Sequence, residues 1–439
     1  MKVDFGIHIS DTSASIARMI DGQPTVIKTN TLKDKIPLCV GFNKRGNLIV
    51  GDAAYNALIT SKIRHKDFET NYYSNFLRTA ETDKTYYFSN TNQVYSSEQL
   101  LGFVIKTLKS FVKDEYVKAS VITVPDRFSF NQIEAIKTAG KLGGLEQVEI
   151  VQESIAASMA YGLDVKNRDG YWLVFNLGRG TFDTALLKGE DGIMKIIDTE
   201  GDNYLGGKNL DYAIVDEIII PYLKDNYVVD SILQDDNKRK ILQGSLKYYA
   251  EETKIQMSFN DTHNILSDFC DIPGEDDEGE EFEMDITVTQ DDFKKVVAPI
   301  FQRTIDICKN LLERNNLTGD KLDSLILVGG PTYSPILRRM LEEQIKKPDA
   351  NVEPKTVVVK GAALYASRVN FFNNNTSNKS FLIEIEDLLF KLLEEGKIDT
   401  VAFQKYFDVI FDIKKMNLLP DKKILNKIYK ELENVAQKI

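Results

Sequence analysis

Hydrophobic and polar residues alternate with a period of two along the first 30 residues, with breaks at Asp21-Gly22 and near Lys28. Because successive side chains of a strand point to opposite faces, this pattern predicts consecutive antiparallel strands. Residues 119–125 (ASVITVP) form an uninterrupted apolar, β-branched run, which is typical of a strand buried inside a sheet. Helical patterns surround that run, so an α/β fold with a strand-to-helix crossover is predicted.

Helical periodicity, with apolar residues three and four positions apart, occupies most of the remaining chain. The predicted helices span residues 97–113, 131–142, 238–258, 291–314 and a segment that begins at Pro335. A strand is predicted at residues 322–330 (LDSLILVGG), and a hairpin is predicted whose acidic tip, residues 274–283, is expected to be a solvated loop. Residues 370–380 have the polar composition of a linker.

Two segments of the chain repeat each other. Residues 171–192 have the same strand, turn, strand and acidic-glycine ending as residues 4–22, and residues 8–13 lie 168 positions before residues 176–181. A repeat at such a distance indicates a duplicated lobe. The alternative is that any two hairpins share such a pattern.

Composition limits the class of protein. The 439 residues are too many for one compact core, and 43% hydrophobic with 28% charged residues is an ordinary globular balance. The net charge of -11 argues against nucleic acid or an anionic membrane as the main partner. The three cysteines and three histidines are widely spaced, which argues against a disulfide or structural metal, and no apolar window is long enough to cross a membrane. A cytoplasmic location is expected.

Three glycine turns and one carboxylate lie at predicted strand ends. Residues 176–183 (NLGRGTFD) join two strands, residues 201–207 (GDNYLGG) form a second turn, and Gly329-Gly330 end a buried strand. Backbone N–H groups in such turns can approach a phosphate closely. Glu153 begins a helix directly after a strand, where a favourable interaction with the helix dipole would also explain it. Together these features predict a nucleotide-binding cleft.

Six segments, in order, are similar to those of DnaK-like seventy-kilodalton heat-shock chaperones. They are VITVPDRFSFNQIEAIKTAGKLGGLE, VQESIAASMAYGLD, NLGRGTFD, GDNYLGG, ILVGGPT and VVVKGAALYAS, and the resemblance covers about residues 1–369. It implies the duplicated actin-like ATPase fold, in which two ribonuclease-H-like lobes clamp ATP and Mg²⁺. Lobe I would comprise residues 1–165 and 345–369, lobe II residues 166–344, and a small all-helical extension residues 381–439.

The resemblance also implies roles for individual residues. Glu153 matches the carboxylate that arranges the attacking water, and Thr181 and Asp183 match polar groups beside the γ-phosphate and the metal. Ile255 and Tyr333 take the positions of two arginines that sandwich the adenine. The residues that match nucleotide contacts are Thr12, Gly178, Arg179, Gly180, Thr181, Gly206, Gly207, Glu251, Lys254, Ser258, Gly329, Gly330 and Tyr333.

The phosphate side departs from the family pattern. Where the first loop of the family reads Asp-Leu-Gly-Thr-Thr, residues 8–12 read His-Ile-Ser-Asp-Thr, and Asn176 stands in place of an aspartate. The catalytic lysine, expected within residues 66–78, is replaced by a neutral residue, assigned to Asn71. Mg²⁺ is normally held by carboxylates and phosphates, and phosphoryl transfer depends on these charges. The sequence therefore predicts weak binding of ATP or ADP, a doubtful Mg²⁺ site, and poor or lost hydrolysis.

Asp11 and Arg179 occupy corresponding turns of the repeat. We expect an ion pair between them across the cleft, or Arg179 in place of the missing metal and lysine charge; the alternative is two unrelated exposed charges. The family's interdomain proline matches Pro125, but its arginine partner falls on Ile133, and the linker to a peptide-binding domain is not found after Ala366.

The predicted function is that of a divergent chaperone-type nucleotide-binding protein. Its partner would be a client protein or co-chaperone, bound through the lobes or the C-terminal helices. The alternative for those helices, which their apolar spacing favours, is packing into a small bundle of their own. A slow but genuine ATPase that uses Glu153, Thr181 and Asp183 is the first alternative. A sugar or acid kinase and an actin-like filament protein are the others.

Overall fold

The computed structural model describes residues 5–63, 71–162, 169–190, 193–268, 272, 274–368, 385–393, 395, 397–398, 406 and 428–432. The predicted linker at residues 370–380 lies outside this set, as does most of the predicted helical extension. Residues 385–393 are helical, and Ile385, Leu389 and Leu392 are buried there. No helix within the described ranges is long and apolar enough to cross a membrane.

The structure combines strands and helices along most of its length. The strands are β1 (Phe5–Ile9), β2 (Ser13–Ile20), β3 (Gln23–Val26), β4 (Ile36–Pro37), β5 (Cys39–Phe42), β6 (Leu48–Val50), β7 (Tyr72–Ser74), β8 (Thr85–Phe88), β9 (Gln93–Ser96), β10 (Ala119–Val124), β11 (Gln147–Gln152), β12 (Gly170–Leu177), β13 (Phe182–Glu190), β14 (Ile193–Asp202), β15 (Thr262–Ser267), β16 (Met284–Thr289) and β17 (Ser324–Val328). The helices are α1 (Asp52–Ile63), α2 (Ser97–Ser110), α3 (Phe130–Leu142), α4 (Glu153–Ala160), α5 (Gly207–Ile214), α6 (Ile220–Asn226), α7 (Asp230–Gln234), α8 (Asp236–Gln256), α9 (Gln290–Arg314), α10 (Pro335–Gln344) and α11 (Val357–Arg368).

Local sequence explains where the helices begin. Ser96 and Ser129 each cap a helix, α2 and α3 respectively, by accepting the N–H of a glutamine three residues later, whose side chain bonds back to the cap. Such reciprocal capping satisfies two backbone donors that would otherwise lack partners. The predicted helices and the strand at residues 119–125 are confirmed, with boundaries that differ by at most three residues.

Two large sheets form the centres of two lobes. In the first lobe the strands follow the order β11-β10-β1-β2-β3, with β4 also paired to β2, and in the second the order is β14-β13-β12-β17. β1 pairs antiparallel with β2 and parallel with β10, while β12 pairs antiparallel with β13 and parallel with β17. The two sheets therefore share one topology around their first strand.

The register of the strands confirms the internal repeat. His8 faces Ser15 across β1 and β2, and Asn176 faces Asp183 across β12 and β13, so both pairs keep the spacing of 168 seen in the sequence. A chance resemblance of two hairpins would not preserve the parallel neighbour strand as well. The duplicated-lobe prediction is therefore confirmed at the level of strand pairing.

Helices α4 and α11 lie together between the two sheets. Buried apolar residues from both helices and both sheets form one cluster, which includes Ala156, Ala362, Trp172 and Val121. A Cβ at Gly361 would overlap the backbone of Ala156. The two helices can therefore pack at backbone distance only because position 361 has no side chain.

Smaller sheets extend the lobes away from this interface. β5, β6 and β7 form one sheet and β8 with β9 another, and the hairpin β15–β16 extends the second lobe. The acidic tip of that hairpin is not wholly solvated, because the Asp276 carboxylate is buried and accepts the N–H groups of Val228, Glu278 and Glu280. The expectation of a solvated loop was wrong for this part of the tip.

We predict that Gly361→Ala destabilises the protein by about 2 kcal/mol, because the new methyl group would force α4 and α11 apart. Gly244→Ala is the matched control, since that glycine lies in the exposed middle of α8 with open space around it. The control should stabilise by about 0.5–1 kcal/mol through helix propensity. Urea unfolding measures both, and equal effects of the two changes would contradict the packing argument.

Candidate functional site

A deep cleft of about 1420 Å³ lies between the two lobes. Its walls include the β1–β2 turn, the β12–β13 turn, the start of α4 and the residues that follow β17. These are the turns that the sequence marked as candidate phosphate loops. The cleft is therefore the place where the predicted site residues can meet.

Backbone hydrogen bonds hold the β12–β13 turn against the start of α5. The Gly178 N–H donates to the Thr181 carbonyl at 2.9 Å, and the N–H groups of Gly207 and Lys208 donate to the carbonyls of Gly178 at 2.9 Å and Arg179 at 2.7 Å. A Cβ at Gly206 would lie 2.6 Å from the backbone of this turn. Gly206 and Gly207 thus hold the phosphate loop against the start of α5.

Gly329 ends β17 in a backbone conformation that favours glycine, with φ of 96°. A side chain there would overlap the carbonyl of Leu177, at the start of the β12–β13 turn. The close approach joins two predicted nucleotide loops and explains the glycine at position 329.

Most of the residues predicted for the site line the cleft. They are His8, Thr12, Glu153, Asn176, Gly178, Arg179, Gly180, Thr181, Asp183, Gly207, Glu251, Lys254, Ser258, Gly329, Gly330 and Tyr333. Gly206 lies behind the phosphate loop rather than in the lining. Asn71 is the second exception.

Asn71 lies beside the small sheets of the first lobe. Its amide donates to the Ser89 hydroxyl at 2.8 Å and accepts the Asn90 N–H at 2.7 Å. The prediction that placed it in the cleft was wrong. Asn75 and Arg78, from the same stretch of sequence, line the cleft instead, while residues 64–70 lie outside the described residues.

The predicted ion pair between Asp11 and Arg179 is also wrong. Asp11 accepts a hydrogen bond from Arg78 at 2.7 Å, and Arg179 donates to Glu251 at 2.9 Å. Each charge finds a partner within its own lobe. The two turns lie on opposite walls of the cleft, but the long side chain of Arg179 extends to Glu251 in its own lobe instead of reaching Asp11.

Glu153 occupies the buried floor of the cleft. The Asn176 amide donates to its Oε2 at 2.9 Å, and His8 Nδ1 lies 3.7 Å from its Oε1. Burial raises the pKa of Glu153 well above its usual value, and the neighbouring carboxylates of Asp126 and Asp183 raise that pKa further. The environment therefore favours a protonated carboxyl.

His8 contributes a neutral imidazole to the same floor. Its Nδ1 lies 2.8 Å from the Thr123 hydroxyl. Burial, with a smaller contribution from Lys35, lowers the pKa of His8 to about 4. At neutral pH this position thus carries neither the negative charge of a carboxylate nor a positive charge.

Asp183 makes an ion pair between the lobes. Arg127, which follows β10 in the first lobe, donates to the Asp183 carboxylate at 2.7 Å and to the Asn203 side chain at 3.2 Å. Burial raises the pKa of Asp183, while Arg127 opposes that rise. Sequence reasoning missed Arg127, although it lies within one of the family-like segments, because nothing in its local pattern indicates a distant partner.

The side of the cleft predicted to bind adenosine is occupied by internal contacts. Lys254 forms an ion pair with the fully buried carboxylate of Asp211. The centre of the Tyr333 ring lies 5.6 Å from that of Phe259, a residue that sequence reasoning also missed. The Tyr333 hydroxyl donates to Glu353 at 3.2 Å. Both aromatic rings line the cleft, so a purine could stack on them.

A metal site cannot be assigned from side chains alone. Among the described residues, no group of three or more His, Cys, Asp or Glu side chains is arranged to hold a metal ion. Asp11 in the β1–β2 turn and Asp183 near the start of β13 each bind an arginine. Mg²⁺ held mainly by nucleotide phosphates and water would need few protein ligands.

We predict that Asp126→Asn changes the pH dependence of folding. Burial raises the pKa of Asp126 from 3.8 to about 6, so the folded state retains a proton that the unfolded state loses between these values. That contribution to stability falls as pH rises through this window. The asparagine variant should therefore gain stability relative to the wild type, on the order of 2 kcal/mol, between pH 4 and pH 7.

Urea unfolding at several pH values measures this difference. Asp277→Asn is the control, because hydrogen bonds from Ser231 lower the pKa of Asp277 and confine its effect to acidic pH. The Asp277→Asn difference should stay flat between pH 5 and pH 7. A flat Asp126→Asn difference over pH 4 to 7 would show that Asp126 is not held protonated.

Comparisons with known proteins agree with this geometry. A family model described as "Hsp70 protein" matches residues 4–388. The chain is 30% identical over 410 residues to the chaperone protein DnaK of Mycoplasma mobile, covering 91% of this chain and 63% of that protein. It is 29% identical over 371 residues to DnaK of Methanothermobacter thermautotrophicus, covering 82% of this chain and 58% of that protein. The chain thus spans less than two thirds of the length of these relatives. It belongs to the Hsp70 family, and its two-lobed α/β structure is the actin-like ATPase fold of that family.

Proposed function

We propose that this protein binds an adenine nucleotide in the cleft between its lobes, hydrolyses ATP poorly or not at all, and acts as a chaperone-type protein. One observation carries the nucleotide proposal: the glycine turns and Glu153, far apart in the sequence, converge on one cleft. The neighbouring aromatic rings of Tyr333 and Phe259 supply a surface for the base. The phosphate loops lie within the same cleft.

Weak hydrolysis is supported by the surroundings of Glu153. A group that orients or deprotonates water works best when it is ionised and within hydrogen-bond reach of that water. Here one oxygen of Glu153 already accepts the Asn176 amide, and its raised pKa favours the protonated form. His8 adds no negative charge for a metal. These features argue against efficient phosphoryl transfer and leave the use of Mg²⁺ in doubt.

The chaperone part of the proposal rests on family membership. Both relatives are named chaperone protein DnaK. Because the chain spans less than two thirds of their length, a client or co-chaperone bound through the lobes or the C-terminal helices is proposed rather than transferred from them. We also retain residues 1–165 with 345–369, and 166–344, as the proposed limits of the lobes.

A slow but genuine ATPase is the second candidate. Glu153, Thr181 and Asp183 all line the cleft, so the residues that such a reaction would use are present. Its rate would depend on the fraction of Glu153 that is ionised.

We predict that calorimetry detects binding of ATP and ADP, while release of phosphate from ATP is as slow in the wild type as in Glu153→Gln. Glutamine can still accept the Asn176 amide, so the fold of the cleft should be kept. A drop in phosphate release of about tenfold or more in Glu153→Gln would identify a genuine ATPase, since that corresponds to about 1.4 kcal/mol of transition-state stabilisation. No binding of either nucleotide would contradict the proposal as a whole.

We predict that the double variant His8→Asp, Asn176→Asp gains Mg²⁺-dependent ATP hydrolysis of about tenfold or more, because it places two carboxylates beside the phosphate loops. Added Mg²⁺ with ATP should also raise its thermal unfolding temperature. Asn237→Asp, at the exposed start of α8, introduces a carboxylate outside the cleft and should change neither property. Unchanged hydrolysis in a folded double variant would show that the missing carboxylates are not what limits the reaction.

A further inference from the structure

The cleft carries the opposite charge balance from the rest of the protein. Within the described residues, nine lysine and arginine side chains line it against six carboxylates. The whole chain has 55 lysines and arginines against 66 aspartates and glutamates. Cations are thus concentrated in a cavity of an acidic protein, and an anionic ligand would be drawn to it.

Four of these nine cations already have aspartate partners. Arg78, Arg127, Lys254 and Lys33 each form an ion pair with an aspartate. Their charges are balanced and cannot by themselves attract a polyanion strongly. The excess positive charge of the cleft must therefore come from other side chains.

Lys35 and Lys355 form no ion pair with any described residue, and both line the cleft. Lys35 directly precedes β4 of the first lobe, and Lys355 lies just before α11, where its ammonium group is 5.3 Å from the centre of the Tyr333 ring. Arg179, on the phosphate loop, forms an ion pair with Glu251. We call Lys35, Arg179 and Lys355 the cation cluster.

Lys35 lies close enough to Arg179 and Lys355 for their positive charges to act against its own. Lys355 and Arg179 both lower the pKa of Lys35, after the larger effect of burial. The charged groups facing Lys35 with the opposite effect are Glu251 and Asp34, and Asp34 is already paired with Lys28. Bringing like charges together in a partly dehydrated cleft costs free energy. An anion between them would remove that cost.

We propose that the cation cluster binds the polyphosphate chain of a nucleotide directly, without a divalent cation. The inference rests on the proposed nucleotide function and specifies how the phosphates are held. Arginine can contact two phosphate oxygens at once, while lysine acts as a compact point charge. Three cations offset by one carboxylate leave a net charge of two, which is the charge that a divalent ion would supply.

The remaining charges of the cleft favour the same ligand. Lys208, whose ammonium group lies beside Gly180 of the phosphate loop, also has no ion pair with a described residue. On the opposite side, Asp11 and Asp183 already bind arginines. A metal-free polyphosphate carries more negative charge than its Mg²⁺ complex, so it would gain more from this cluster.

The cluster also connects parts of both lobes. Lys35 belongs to the first lobe, Arg179 to the phosphate loop of the second, and Lys355 to the segment that runs from the second lobe to α11. A bound polyphosphate would contact all three and draw the lobes towards each other. The nucleotide would then close the cleft by neutralising charge rather than by organising a metal.

The test is calorimetry of the full chain with ATP, inorganic tripolyphosphate and adenosine, each in EDTA and in excess Mg²⁺ at constant ionic strength. We expect ATP and tripolyphosphate to bind in EDTA, and Mg²⁺ to leave their affinity unchanged or lower it. Lys35→Gln and Lys355→Gln should each weaken both ligands about tenfold, as for loss of one charge-assisted contact. Adenosine binding should not change.

Lys44→Gln is the matched control, because it removes the same charge from an exposed turn of the first lobe outside the cleft. It should leave all affinities unchanged. ATP binding that requires Mg²⁺, or that is insensitive to both lysine variants, would overturn the inference while leaving the proposed nucleotide function intact. Tripolyphosphate binding in EDTA without any binding of ATP or adenosine would instead contradict the nucleotide function and retain the cation cluster.

Discussion

The packing of α4 against α11 is the contact on which the rest of the structure depends. Gly361 lets the two helices approach at backbone distance, and Gly6 of β1 in turn lies directly against the backbone of Ala362 and Ala363. Residues from both sheets join the helices in one apolar cluster. Because each sheet is fixed to the same helix pair, the turns at their strand ends face each other, and the cleft between the lobes follows from that geometry.

The chemistry of the cleft follows from how its buried charges are balanced. On the acidic side, Asp11 and Asp183 bind arginines, while Glu153 binds an amide and has a raised pKa. Buried carboxyl groups without enough positive charge nearby favour the neutral form. The other side holds Lys35 and Lys355, which form no ion pair with a described residue. This division of charge is the basis on which we propose that the site binds an anion directly, without a divalent metal.

Membership of the Hsp70 family and departure from its phosphate site are compatible. The glycine turns are retained because they are needed for close backbone approach, as Gly329 against Leu177 and Gly206 against the phosphate loop illustrate. Their loss would disturb the lobes themselves. His8 and Asn176 contact the side chains of Thr123 and Glu153 rather than the backbone of a neighbouring turn, so these positions can change without that cost. Fold and catalytic chemistry are therefore under different physical constraints in the same cleft.

Local sequence predicts the strands of the internal repeat, the longer helices and the turns that form the cleft. These features depend on local periodicity, on capping residues and on glycine, all of which can be read within short segments. Packing of the lobes sets the charge pairs Asp11–Arg78, Arg179–Glu251 and Arg127–Asp183. It also places Asn71 outside the cleft. Each of these contacts joins residues far apart in the chain, and a long charged side chain pairs with whichever partner the packed lobes bring nearest. No local pattern contains that information.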